Sequence, residues 1–117
     1  MTNSRQKGKR GELEAAKAWE KATGLAVKRT AQVNGKLSAD LTGVEGIHFE
    51  VKRRHRISAL DFLLQAETDC AEEEQANRGV PLVIMRQDND TRWAALLPLD
   101  CLPDLVSVLA GQACKQK

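Results

Sequence analysis

Apolar and polar positions along this chain change period several times, and each change marks an element. Residues 7–23, rich in Ala, Glu and Lys, read as a helix that Gly24 stops. Residues 25–31 read as a strand, and Asn34-Gly35 within 33–38 signals a hairpin or loop. A second short strand is expected over 39–44, a turn at Glu45-Gly46 and a third strand over 47–54. Ser58 opens a second helix that runs to about Asn77 and ends near Gly79; Ser58-Ala59-Leu60-Asp61 resembles a capping box with Asp in place of Glu. The apolar, β-branched stretch 80–86 reads as a buried strand, 87–91 as a polar turn and 92–97 as another strand. Pro98 and Pro103 bracket a break before a closing helix over 104–110. Residues 1–6 are read as mobile and 111–117 as a frayed tail. The order α-β-β-β-α-β-β-α predicts one α/β domain with a mixed central sheet flanked by helices.

Length and composition narrow this reading. A chain of 117 residues suits a single domain with one core, and 3% aromatic residues leave that core to Leu, Val, Ile and Ala. No apolar run approaches ~18 residues, so no transmembrane helix is expected. The polar N-terminus lacks the apolar middle of a signal peptide, which predicts a cytoplasmic protein of a bacterial, archaeal or phage-infected cell. Cys70, Cys101 and Cys114 are odd in number and far apart, so reduced thiols are expected rather than a zinc site or a disulfide framework.

The net charge of +2 hides a split. Through Arg56 there are 13 Lys/Arg and 6 Asp/Glu, a balance of +7; from Ile57 there are 5 and 10, a balance of −5. The basic half suits a polyanionic partner, although a solvated basic face would look the same.

The candidate chemistry lies within that basic half. Side chains alternate across a strand, so Ile47, Phe49 and Val51 share one face, against a helix, and His48, Glu50 and Lys52 the other. Glu50 and Lys52 are then neighbours, roughly 6.5–7 Å apart along the strand. Asp40, on the preceding strand, comes beside Glu50 if the two strands pair antiparallel. Two carboxylates repel, and a hard cation removes the repulsion. Lys52 is placed to orient or help deprotonate an attacking water, and the main-chain carbonyl of Val51 is a further candidate ligand. Taken alone the spacing is weak, because an ordinary Glu50–Lys52 ion pair on a polar face would produce it too. Glu12 strengthens it. At roughly 100° per residue, Gly8, Ala15, Ala16, Trp19 and Ala22 fall within about 80° of Glu12. A carboxylate in that apolar stripe needs a partner: a metal, a water on it or a basic group. A position near the helix start, favoured by the dipole and open to solvent, is the alternative.

Lys7-Gly8-Lys9-Arg10-Gly11-Glu12, then Ser38-Ala39-Asp40, then Glu50-Val51-Lys52 resemble the PD-(D/E)XK nuclease superfamily. Within it the chain is most similar to small Holliday junction resolvase-like endonucleases of archaea, phages and prophages. The resemblance spans about residues 7–97, and Ala39 departs from the family's Pro. It implies a restriction-endonuclease-like fold and Mg²⁺ or Mn²⁺ held by Asp40 and Glu50. Glu12 would support the metal, through water if not directly, and Lys52 would serve the nucleophilic water. It also implies a homodimer and no nucleotide cofactor. Gln65, on the helix after Glu-x-Lys, is a looser candidate for orienting the water; an exposed helix residue is the alternative.

Arg5, Lys7, Lys9, Arg10, Lys28, Arg29, Arg53, Arg54 and Arg56 are the candidate DNA contacts, suited to salt-sensitive phosphate binding. No aromatic interleaving marks a single-strand platform, so duplex or branched DNA is preferred. His48 reads as a polar strand residue, His55 as surface or DNA-facing, and Glu72-Glu73-Glu74 as a solvated helix patch remote from the basic half. Trp93 and Leu96-Leu97 suit core or a dimer face. The sequence therefore points to a metal-dependent endonuclease for branched DNA. The alternatives are a related nuclease for linear or nicked duplex, a non-catalytic DNA-binding module and, more remotely, an interaction protein whose acidic half takes a basic partner.

Overall fold

In the computed structural model, which describes residues 4–30, 39–73 and 79–115, strand β3 (Ile47–Arg54) forms where the alternation predicts it. Its polar side chains are nonetheless buried as deeply as its apolar ones: the first six of its eight residues are inaccessible. The reason is a second helical layer. Helix α1 (Ser4–Thr23) packs on one face of β3, and helix α2 (Ala59–Glu72) crosses the other.

The sheet has five strands in sequence order. Strands β1 (Lys28–Arg29), β2 (Leu41–Thr42) and β3 pair antiparallel. Strand β4 (Val80–Gln87) runs parallel to β3 from Ile47↔Val80 to Arg54↔Gln87, and α2 is the crossover a parallel pair requires. Strand β5 (Ala94–Leu96) returns antiparallel on β4. A 3₁₀ turn (Leu99–Cys101) leads into α3 (Leu102–Lys115). The predicted class and element order therefore hold: an α/β domain with a mixed sheet and three helices.

The larger core lies on the α1 side. Ala15, Ala16 and Trp19 meet Leu41, Phe49, Val51, Leu82 and Ile84, and α3 adds Leu105, Val108 and Leu109. Trp19 stands edge-on to Phe49, with ring centroids 5.0 Å apart. On the other side Phe62 and Ala66 of α2 cover Val83, joined by Ile57, Met85 and Leu96.

Several boundaries depart from the sequence expectations. Helix α1 begins at Ser4, so residues 4–6 are helical rather than mobile, and α3 runs through 111–115 rather than fraying. It also starts before Pro103; a proline in the first turn removes an N–H that has no helical partner anyway. Strands β1 and β2 shrink to two residues each. Gly43, at φ +135°, leaves β2 where an added Cβ would stand 2.7 Å from the Ala26 carbonyl oxygen. No capping box forms: Ser58 Oγ donates to Asp61 Oδ2 at 2.6 Å, and no side-chain bond caps the backbone. The Asn34-Gly35 signal lies outside the described residues. Helix α2 stops at Glu72, short of the expected end near Asn77, because Glu73 is already extended (φ −70°, ψ 157°) and turns its carboxylate to His48. Among the described residues, no helix is long and apolar enough to cross a membrane.

Candidate functional site

Asp40 sits immediately before β2, held by its backbone on both sides. Its N–H donates to the Phe49 carbonyl at 2.8 Å, and its carbonyl accepts from Thr30 N–H at 2.9 Å. The ladder of β2 with β3 pairs Leu41 with Phe49, so Val51 lies past the paired residues of β2. The side chain of Asp40 fills that gap, Oδ2 accepting from Val51 N–H at 2.7 Å. Main-chain groups two residues apart on a strand point to the same side, so the Val51 carbonyl faces this edge too.

Glu50 is 4% exposed and lies within electrostatic reach of Asp40. Burial pushes its carboxyl up to about 7; the hydrogen bond from His48 pulls it down, while the charges of Asp40 and Asp69 push it further up. Asp40 is also raised by burial, partly offset by the Val51 N–H and the charge of Lys52.

Lys52, 8% exposed, donates from Nζ to Gln65 Oε1 at 2.6 Å, and its ammonium lies 5.8 Å from the Phe62 ring centroid. Gln65 is exposed as a residue and engaged through this one oxygen. Glu12 accepts from Arg29 Nε at 2.7 Å, which supplies a basic group as a partner. Burial raises its pKa and the Asp40 charge adds to this, against the pull of Arg29. Asp40, Glu50, Lys52 and Gln65 are thus linked by direct bonds or charge, with Glu12 in electrostatic reach of Asp40. Among the described residues no three Asp, Glu, His or Cys side chains form a ready ligand shell. The carboxyls bond instead to Val51 N–H, to His48 and to Arg29.

Three residues of this cluster escaped the sequence reading. His48 is 1% exposed, with Nε2 3.0 Å from Glu50 Oε1 and Nδ1 2.7 Å from Glu73 Oε1. Burial disfavours its charge, but the hydrogen bonds and charges of Glu50 and Glu73 prevail and raise its pKa. Asp69 stands close enough to Glu50 to raise its pKa. Glu73 is therefore not part of a solvated patch; Glu74 lies outside the described residues. The available signal was helical spacing: Gln65, Asp69 and Glu73 recur every four residues, one ribbon of α2.

The basic residues divide into two groups. Lys9, Arg10, Lys28, Arg54 and Arg56 are exposed, as is His55. Arg29 is taken by Glu12, and Arg53 Nη1 donates to Glu14 Oε1 at 2.9 Å, with Arg86 on the other oxygen at 2.7 Å. Arg5 and Lys7 lie on α1, their side chains outside the described set. Comparison with known protein families, curated proteins and solved structures finds no match to this chain.

Proposed function

We propose that the protein is a metal-dependent DNA endonuclease of the PD-(D/E)XK type, acting as a homodimer on branched DNA such as Holliday junctions. The observation that carries this reading is the gathering of the Asp40 and Glu50 carboxyls and the Lys52 ammonium where the chain enters β2 beside β3. Buried acids whose pKa values are raised by burial, that of Glu50 also by the charge of Asp40, suit a divalent cation, which would offset their charge. Asp40, Glu50 and the Val51 carbonyl would hold Mg²⁺ or Mn²⁺, with Glu12 supporting it through water.

Once bound, the cation supplies Lewis-acid polarisation of the phosphodiester and lowers the pKa of water. Lys52, held by Gln65 and steadied over Phe62, orients the attacking water and offsets charge developing on the phosphate. Exposed Lys9, Arg10, Lys28, Arg54 and Arg56 dock the backbone of the DNA. The preference for branched DNA and the homodimer follow from the resemblance alone.

The test is cleavage of a four-way junction and of linear duplex in Mg²⁺ by the wild type and by Asp40→Ala and Glu50→Ala. Loss of several kcal/mol of transition-state stabilisation corresponds to a fall of about 10³-fold or more in rate, with DNA binding retained. Undiminished cleavage by both variants would sink the assignment. Equal cutting of linear duplex favours the related nuclease, and binding without cutting by the wild type favours a non-catalytic module.

A further inference from the structure

His48 is one of the most completely buried side chains in the protein, yet it packs as a polar link rather than as core. Both of its ring nitrogens face carboxyl oxygens: Glu50 Oε1 on β3 and Glu73 Oε1 at the end of α2. A ring engaged at both ends cannot turn without breaking two bonds in a place water does not reach. Glu73 is itself anchored. It terminates α2 in an extended conformation, φ −70° and ψ 157°, with its N–H donating to the Cys70 carbonyl. One turn earlier the charge of Asp69 opposes ionisation of Glu50, which leaves the orienting contact to His48. The chain just past α2 thus holds the Glu50 carboxyl through a rigid ring. An apolar side chain at position 48 would fill the same space without needing two partners.

We infer that Glu73 and His48 are positioning residues that orient the Glu50 carboxylate for a divalent cation, touching neither the cation nor DNA themselves. The inference rests on the metal-dependent reading above. Outer partners that aim a ligand typically change metal affinity by about 10–100-fold when removed. Glu73 is the better residue to vary, since its side chain is 16% exposed and that of His48 is wholly buried.

The experiment is calorimetric titration of Mn²⁺ into the metal-free protein without DNA, comparing the wild type, Glu73→Ala and Glu73→Gln, with a thermal melt of each. Glu73→Ala should weaken Mn²⁺ binding about 10-fold or more, and Glu73→Gln, which keeps an acceptor oxygen for the ring, should recover most of it. Binding in Glu73→Ala within about 2-fold of the wild type overturns the positioning role and leaves the nuclease reading standing. So does weakening that follows the loss of melting temperature and is not recovered by Gln. If the wild type binds no Mn²⁺, the metal-dependent reading fails and the positioning role fails with it.

Discussion

Glu50 occupies a place where charge is opposed by burial and by the carboxyls of Asp40 and Asp69. Its folded value of about 7 stands above the ordinary 4.5, so the folded chain holds this proton more tightly than the unfolded chain does. That preference stabilises the fold fully below the unfolded value and is lost as pH rises through about 7. His48, also raised, acts in the same direction. The melting temperature of the metal-free protein is therefore expected to fall as pH climbs from about 5 to about 8. Glu50→Gln should remove much of that slope, and Mg²⁺ should restore stability at the alkaline end. Circular-dichroism melts across this range check it; a flat wild-type profile contradicts the environment described for Glu50. At this scale the sequence was partly legible. The wheel that put Glu12 among apolar residues correctly demanded a partner, but could not name Arg29, 17 residues away.

At the scale of elements, β3 was legible to the residue because its alternation is regular, while α2 was legible only as a helix. Which strand face α2 would cover depends on the crossover between parallel β3 and β4, and no local pattern encodes that. The join is tight: Val80 N–H donates to the Gly46 carbonyl at 2.7 Å, and Gly79 lies against the Gly46 backbone. A Cβ at position 79 would collide with the Gly46 carbonyl group, which β3 holds in place. Gly79→Ala should therefore cost about 2–3 kcal/mol in urea unfolding. Gly111→Ala is the contrast. It lies in exposed helix with nothing within 4 Å, and should stabilise by up to about 1 kcal/mol through reduced unfolded-state entropy. Similar costs at both positions would show that the glycines matter as flexible residues and not as a contact.

For the whole molecule, the division into basic and acidic halves does not survive folding intact. The crossover carries Asp69 and Glu73 of the acidic half onto the site formed by the basic half. Carboxylates of α1 in turn engage Arg29 and Arg53. The surface left for a polyanion is narrower than a residue count suggests. Replacing Arg54 or Arg56 with Gln should lower the slope of log affinity against log salt by about 1 each, with little change in melting temperature. Arg53→Gln should show mainly in the melt, because it breaks the contact with Glu14. Fluorescence-anisotropy titrations at several salt concentrations separate the two behaviours; an unchanged slope in all three variants removes this surface from the DNA-binding reading.

The sequence by itself determined the element order, the strand Ile47–Arg54 and the shared face of His48, Glu50 and Lys52. These follow from periodicity, which is a property of neighbours along the chain. Only the tertiary structure decided that α2 would bury that face, that Asp40 would stand in for a missing ladder partner at Val51, and that Glu73 would reach Glu50 through His48. Those outcomes depend on where β2 begins and how the β3–β4 crossover returns. They are long-range consequences of packing, and a buried charge seeks whichever partner that packing brings within reach.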